Sequence, residues 1–143
     1  MDRKPFESKE ARINYLKGLI RISKCDGVIS PEEKRYFSLA AQGFELSDKD
    51  VQELDSLWTK DEIISLSFEE KYDAVFFLQE ALQLVLIDGR YDELEKQELL
   101  AIAIELKILE KDFRKIESWA LAGIAWKKQG EQIIEEIAKE ETR

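Results

Sequence analysis

The sequence predicts an all-α fold: a compact bundle of about seven helices built from two pseudo-symmetric helix-loop-helix repeats. Three observations predict it. Apolar residues recur at helical spacing, strand signals are almost absent, and one acidic loop occurs twice at a constant offset. At 143 residues the chain falls within the usual size of one domain, so residues 1–143 are read as a single unit with its own core.

The first apolar run, Ile13, Leu16, Leu19, Ile20 and Ile22, stops at Gly27, a residue suited to the left-handed position after a helix. Ser30, Pro31, Glu32 and Glu33 then form an S-x-x-E capping box with proline at the first helical position, a strong helix start. Tyr36, Phe37, Ala40 and Ala41 are the expected buried face of that second helix. A third begins near Ser47 or Asp48 and buries Val51, Leu54, Leu57 and Trp58.

Thr59 to Glu62 and Ser67 to Glu70 repeat the capping pattern, the first predicting a short helix and the second a long one. The long helix, with Val75 to Leu78 and Ala81 to Ile87, is apolar nearly all round and should form the centre of the core. It ends at Gly89. Asp92 to Glu95 open the next helix, which buries Leu99, Leu100, Ala103 and Leu106. A last helical stretch runs from about Glu110, with its densest apolar part at Trp119 to Trp126, and Ile133, Ile134 and Ile137 extend its stripe beyond Gly130. Core packing is the expected role of Trp119 to Trp126; the small residues there also suit close approach of a second copy, so a homodimer face is the alternative.

Asp26, Gly27, Ser30, Glu33 and Lys34 recur as Asp88, Gly89, Asp92, Glu95 and Lys96 at an offset of 62 (88 − 26, 95 − 33), which also aligns Ile13 with Val75, Leu16 with Leu78, Phe37 with Leu99 and Ala41 with Ala103. Internal repeats are therefore expected over about 10–58 and 72–120, packed about an approximate two-fold axis.

Most of each D-G-x-x-[SD]-x-x-E loop is explained by helix ends: the glycines as stops, Ser30 and Asp92 as N-caps, Glu33 and Glu95 as the third helical residues of capping boxes. Asp26 and Asp88 differ. A carboxylate at a helix C-terminus faces the negative end of the macrodipole, so something must compensate it: backbone N–H groups, a basic side chain or a bound cation. If the two copies pack loop to loop, Asp26, Glu33, Asp88 and Glu95 converge as a candidate metal site. Oxygen ligands without His or Cys suit Ca, Mg or Mn rather than zinc or copper. An EF-hand is rejected, because its loop is longer and places glycine sixth, whereas here it is second. Arg90 in the second loop, where the first has Val28, offers a competing neutralisation of the acids.

With 31 acidic and 22 basic residues the net charge is −9, which repels phosphate backbones and argues against nucleic acid as a partner. The absence of histidine excludes Ser-His-Asp and Cys-His hydrolases and HExxH proteases, and no GxxxxGK[ST] or GxGxxG loop occurs. Cys25 is the only cysteine, so no intramolecular disulfide forms; since Ile87 stands at its counterpart position, it is read as a small buried apolar residue. No apolar run of spanning length and no signal-peptide pattern follow Met1, so direct membrane insertion is not expected and a cytoplasmic location is.

The stretches RISKCDGVISPEEKRYFSLAA and LVLIDGRYDELEKQELLAIA resemble the two halves of the TerB-like tellurite-resistance domain family, with the likeness running roughly from Ile13 to Trp126. The resemblance implies a compact bundle of about seven helices, a divalent cation at the positions corresponding to Asp26, Glu33, Asp88 and Glu95, and a role in tellurite or other stress responses. The resulting expectation is a non-enzymatic binding or regulatory module with a protein partner, the alternative being a structural or adaptor bundle that works without metal. Paired-carboxylate catalysis is the least supported reading, because no nucleophile or phosphate loop accompanies the acids.

Overall fold

The computed structural model describes residues 4–25, 27, 29–87 and 91–141, and every regular element among them is helical. Six helices follow in order: α1 (Lys9–Lys24), α2 (Pro31–Gly43), α3 (Asp48–Ser56), α4 (Lys71–Ile87), α5 (Glu93–Glu105) and α6 (Glu110–Glu141). Four of their starts are set by short polar side chains. The hydroxyls of Ser8, Ser30 and Ser47 and the carboxylate of Asp92 each accept from the backbone N–H three residues on, satisfying donors that a helix start leaves bare.

The starts of α4, α5 and α6 lie 62 positions after those of α1, α2 and α3 (71 − 9, 93 − 31, 110 − 48). The ends of α2 and α5 match as well. Each is followed by one left-handed non-glycine residue, Glu45 at φ 55° and Lys107 at φ 62°, again 62 apart. Behind the second, the Ile108 N–H reaches back to the Ala103 carbonyl at 2.8 Å and closes the helix end. Gly27 occupies the same left-handed region, at φ 75°, after α1.

The seventh helix expected at Thr59 is not formed; residues 58–70 run as turns and extended chain between α3 and α4. Other helices take the polar groups that a helix would have paired internally. Lys24 Nζ donates to the Leu57 and Lys60 carbonyls at 2.7 and 2.6 Å, Arg21 Nη1 to the Ile64 carbonyl at 3.0 Å, while the Leu66 and Ser67 N–H groups bond Glu105 and Asn14 at 2.8 and 3.0 Å. For the same reason α4 begins at Lys71 rather than Ser67, its first turn closing on the Glu70 carbonyl.

The core is one cluster with α4 at its centre: Phe77, Leu78, Ala81 and Leu82 are fully buried against Leu16 and Ile20 of α1, Leu99 and Ile102 of α5 and Phe113 of α6. α1 carries α2 and α3 on its outer side, and α4 carries α5 and α6. A segment ahead of α1 completes the core. Phe6 is 4% exposed and meets the rings of Tyr15, Phe76, Phe68 and Phe44 at 4.8, 5.6, 6.0 and 6.3 Å between centroids. Its left-handed backbone (φ 56°) is held on both sides: the N–H donates to the buried Asp73 carboxylate at 2.9 Å, and the carbonyl accepts from Arg12 Nε at 2.8 Å. No helix among the described residues is long and apolar enough to cross a membrane.

Candidate functional site

The predicted loops are only partly within the described residues. Asp26 and Asp88, on which the cation expectation chiefly rests, lie outside them, as do Val28, Gly89 and Arg90. Glu33 sits in the first turn of α2, where its carboxylate accepts from the Ser30 N–H at 3.3 Å and the Ser30 hydroxyl accepts from the Glu33 N–H at 3.1 Å. Both halves of the capping box are present. Glu95 holds the equivalent place in α5, with its N–H bonded to the Asp92 carboxylate at 2.9 Å and its side chain buried at 5% exposure. α2 and α5 both rest on α1. Among the described residues no group of three or more His, Cys, Asp or Glu side chains is arranged to hold a metal.

Sequence reasoning did not single out two polar clusters on α1, α5 and α6. Near the end of α1, Arg21 pairs with Glu98 and Glu105 of α5, the latter at 3.0 Å, while it also holds the Ile64 carbonyl. This ties α1, the 58–70 segment and α5 together at one point, through a guanidinium whose fork suits several acceptors. Cys25 is half-buried rather than buried, and it lines a groove of about 270 Å³ with Arg21, Lys24, Glu62, Ile63, Ile64 and Glu98.

The second cluster joins the start of α5 to α6. The buried Glu117 carboxylate accepts from the Tyr91 hydroxyl, pairs with Arg114 at 3.4 Å and lies 3.8 Å from Lys96. Burial, and then the hydrogen bond and charge of Glu117, push the Tyr91 hydroxyl well above the ordinary tyrosine range, so it stays protonated and donating. A signal existed: Tyr91 stands between the Asp-Gly pair and the α5 cap, where a turn does not need an aromatic ring.

The largest departure from the sequence reading is in α6. Trp119 is 52% exposed and Trp126 78% exposed, so these residues do not pack into the core as expected. The buried face of α6 is Phe113, Ile116, Glu117 and Ala120. Beyond it, only Ile124 is half-buried; residues 121–123 and 125–140 are exposed, although they carry Leu121, Trp126, Ile133, Ile134 and Ile137. The cause is length. α6 keeps its helical geometry through Gly123 and Gly130 for 32 residues, whereas α1 and α4, the longest helices it could pack along, have 16 and 17. Tyr36 also departs from the expected buried face of α2: it is 39% exposed, its hydroxyl 3.4 Å from that of Tyr15, while Phe37 and Ala41 are buried.

Comparison with protein-family models, with curated proteins and with solved structures finds no match to this chain.

Proposed function

We propose that this protein is a non-enzymatic binding module of the TerB-like, stress-response type that engages a protein partner through the distal half of α6. The observation that carries the reading is the exposure of Trp126 at 78% and Ile134 at 69% on a helix that continues past its own bundle. A helix segment without tertiary contacts is marginal in water, and two glycines within it lower its helicity by about 1 kcal/mol each. A chain that maintains such a helix gains its stability from whatever covers it. Large aromatic and aliphatic side chains without a polar partner are the usual anchors of protein interfaces.

The relation to TerB-like domains rests on the duplicated Asp-Gly loops, and the matched starts of the two helix triplets support a pseudo-symmetric repeat. The divalent cation belongs to the same proposal, with Asp26, Glu33, Asp88 and Glu95 as its ligands. The adaptor reading without metal is favoured at one of those four, since the Glu33 carboxylate is already engaged by the Ser30 N–H.

Both parts can be tested on the full chain. With benzoylphenylalanine in place of Ile134, irradiation in cells is expected to give one dominant adduct above the 16.7 kDa of the chain itself. No adduct at Ile134 or at Leu121 would contradict the binding reading. For the cation, calorimetric titration with calcium, magnesium and manganese should give heat with at least one ion, lost in Asp26→Asn with Asp88→Asn. Absence of heat and of any thermal shift with all three would remove the metal part and leave the adaptor.

A further inference from the structure

Six residues of α6, four of them the exposed apolar Trp119, Trp126, Ile133 and Ile137, follow a seven-residue repeat. Trp119, Trp126 and Ile133 recur every seven residues, and so do Gly123, Gly130 and Ile137, four positions on. Together they form a two-row seam along one side of the helix, the pattern by which two helices pack knobs into holes. The seam is self-complementary when inverted. If α6 is laid antiparallel against a copy of itself with the dyad at Lys128, Trp126 falls opposite Gly130, Ile133 opposite Gly123 and Trp119 opposite Ile137, and each pairing recurs in reverse across the dyad.

In the inner layers a bulky side chain thus meets a residue with no side chain. That explains why glycine stands twice in a helix where it costs helicity: a Cβ at Gly123 or Gly130 would meet nothing within 4 Å in the single chain, so neither glycine is required by the fold of one copy.

Charge selects the same orientation. The far end of α6 carries Glu131, Glu135, Glu136 and Glu140 against one lysine, Lys139, and Lys115 is exposed on the part of the helix that packs on the bundle. Antiparallel pairing sets Lys115 of one copy beside Glu140 of the other, whereas parallel pairing would stack Glu131, Glu135, Glu136 and Glu140 of the two copies on each other. Inversion also directs the two bundles to opposite ends of a helix pair about 30 Å long. The two Lys127 ammonium groups then lie near the dyad, on stems free to splay into water.

We infer that two copies of this chain pair antiparallel through the Trp119 to Ile137 seam of α6, each Trp126 seated over Gly130 of the other copy. This rests on the proposal that α6 is a binding helix and specifies its occupant.

Sedimentation velocity on the full chain is the test, with Trp126→Glu and Gly130→Leu as variants and circular dichroism as the check on folding. The wild type is expected to sediment as a dimer at micromolar concentration. Each dimer loses two anchors in Trp126→Glu, so its Kd should rise by roughly a thousandfold. Gly130→Leu should dissociate it as well while leaving the single chain intact, since the added side chain enters open space there. Orientation is read in a Cys25→Ala background with a short bismaleimide: Lys127→Cys should cross-link to its own copy and Glu136→Cys should not.

A wild type that stays monomeric at 100 micromolar, a dimer indifferent to both seam substitutions, or cross-linking of both cysteine variants would each overturn the inference. An Ile134 photo-adduct with a different protein, alongside a monomeric wild type, would overturn the second copy as occupant while the binding reading stands. Neither adduct nor dimer would remove both.

Discussion

Gly18→Ala is expected to destabilise the protein by about 2 kcal/mol, although alanine is the better helix former by about 1 kcal/mol. A Cβ at position 18 would lie 2.2 and 2.3 Å from two ring carbons of Phe77, far inside van der Waals contact. Phe77 cannot move aside, because it is fully buried and its ring is wedged against Tyr15 and Phe68 at 5.9 and 5.8 Å. The strain therefore falls on the crossing of α1 and α4. Urea denaturation measures the loss. The double variant Gly18→Ala with Phe77→Leu should recover part of it, since leucine lacks the ring atoms that clash. A double variant less stable than the sum of its two single effects would show that the close approach is not the reason for glycine there.

Phe6→Ala should cost about 3 kcal/mol, in the range for emptying a buried phenylalanine site. The ring fills a space bounded by four other aromatic rings contributed by α1, α4 and the turns before α3 and α4. The effect should be cooperative with the backbone clamp. Once the ring is gone, the Asp73 carboxylate and Arg12 lose the chain segment that satisfies them, so Phe6→Ala and Asp73→Asn combined should destabilise less than their separate effects added. Thermal unfolding of the two single variants and the double measures this, and strict additivity would contradict the clamp.

Neither position stands out in the sequence, for a physical reason. Neither Gly18 nor Phe6 belongs to a periodic apolar run or a cap; only the crossing of α1 with α4 places Phe77 over the first and an aromatic cavity around the second. What was legible is local. The caps at Ser30, Ser47 and Asp92, the left-handed Gly27 and the buried run of α4 follow from chemistry within a few residues of each site. What failed was competition over distance. Thr59 to Glu62 carries the letters of a capping box, but Lys24 holds the Leu57 and Lys60 carbonyls and Arg21 that of Ile64, from positions far earlier in the chain.

The helix ends at Glu45 and Lys107 carry no sequence signal because non-glycine residues hold the left-handed position, at a cost that, behind Lys107, the Schellman-type closure at Ile108 offsets. Half of the candidate cation site, Glu33 and Glu95, stands where helix-cap chemistry placed it, at the third position of α2 and α5. Its other half lies outside the described residues. The exposure of Trp119 and Trp126 has a different origin. An apolar stripe of helical period is the same signal whether it faces the core of its own chain or the surface of another, and only the length of α6 relative to its neighbours separates the two.

That distinction leads to the measurement closest to the central claim, that the distal half of α6 is a helix made to be covered. Amide hydrogen exchange over residues 121–141, compared between the wild type and Trp126→Glu at one concentration and again on dilution, reads it directly. Slow exchange in the wild type, lost on dilution and lost in Trp126→Glu while α4 remains protected in both, is the expected result. Equal exchange over 121–141 in the two proteins at every concentration would contradict it.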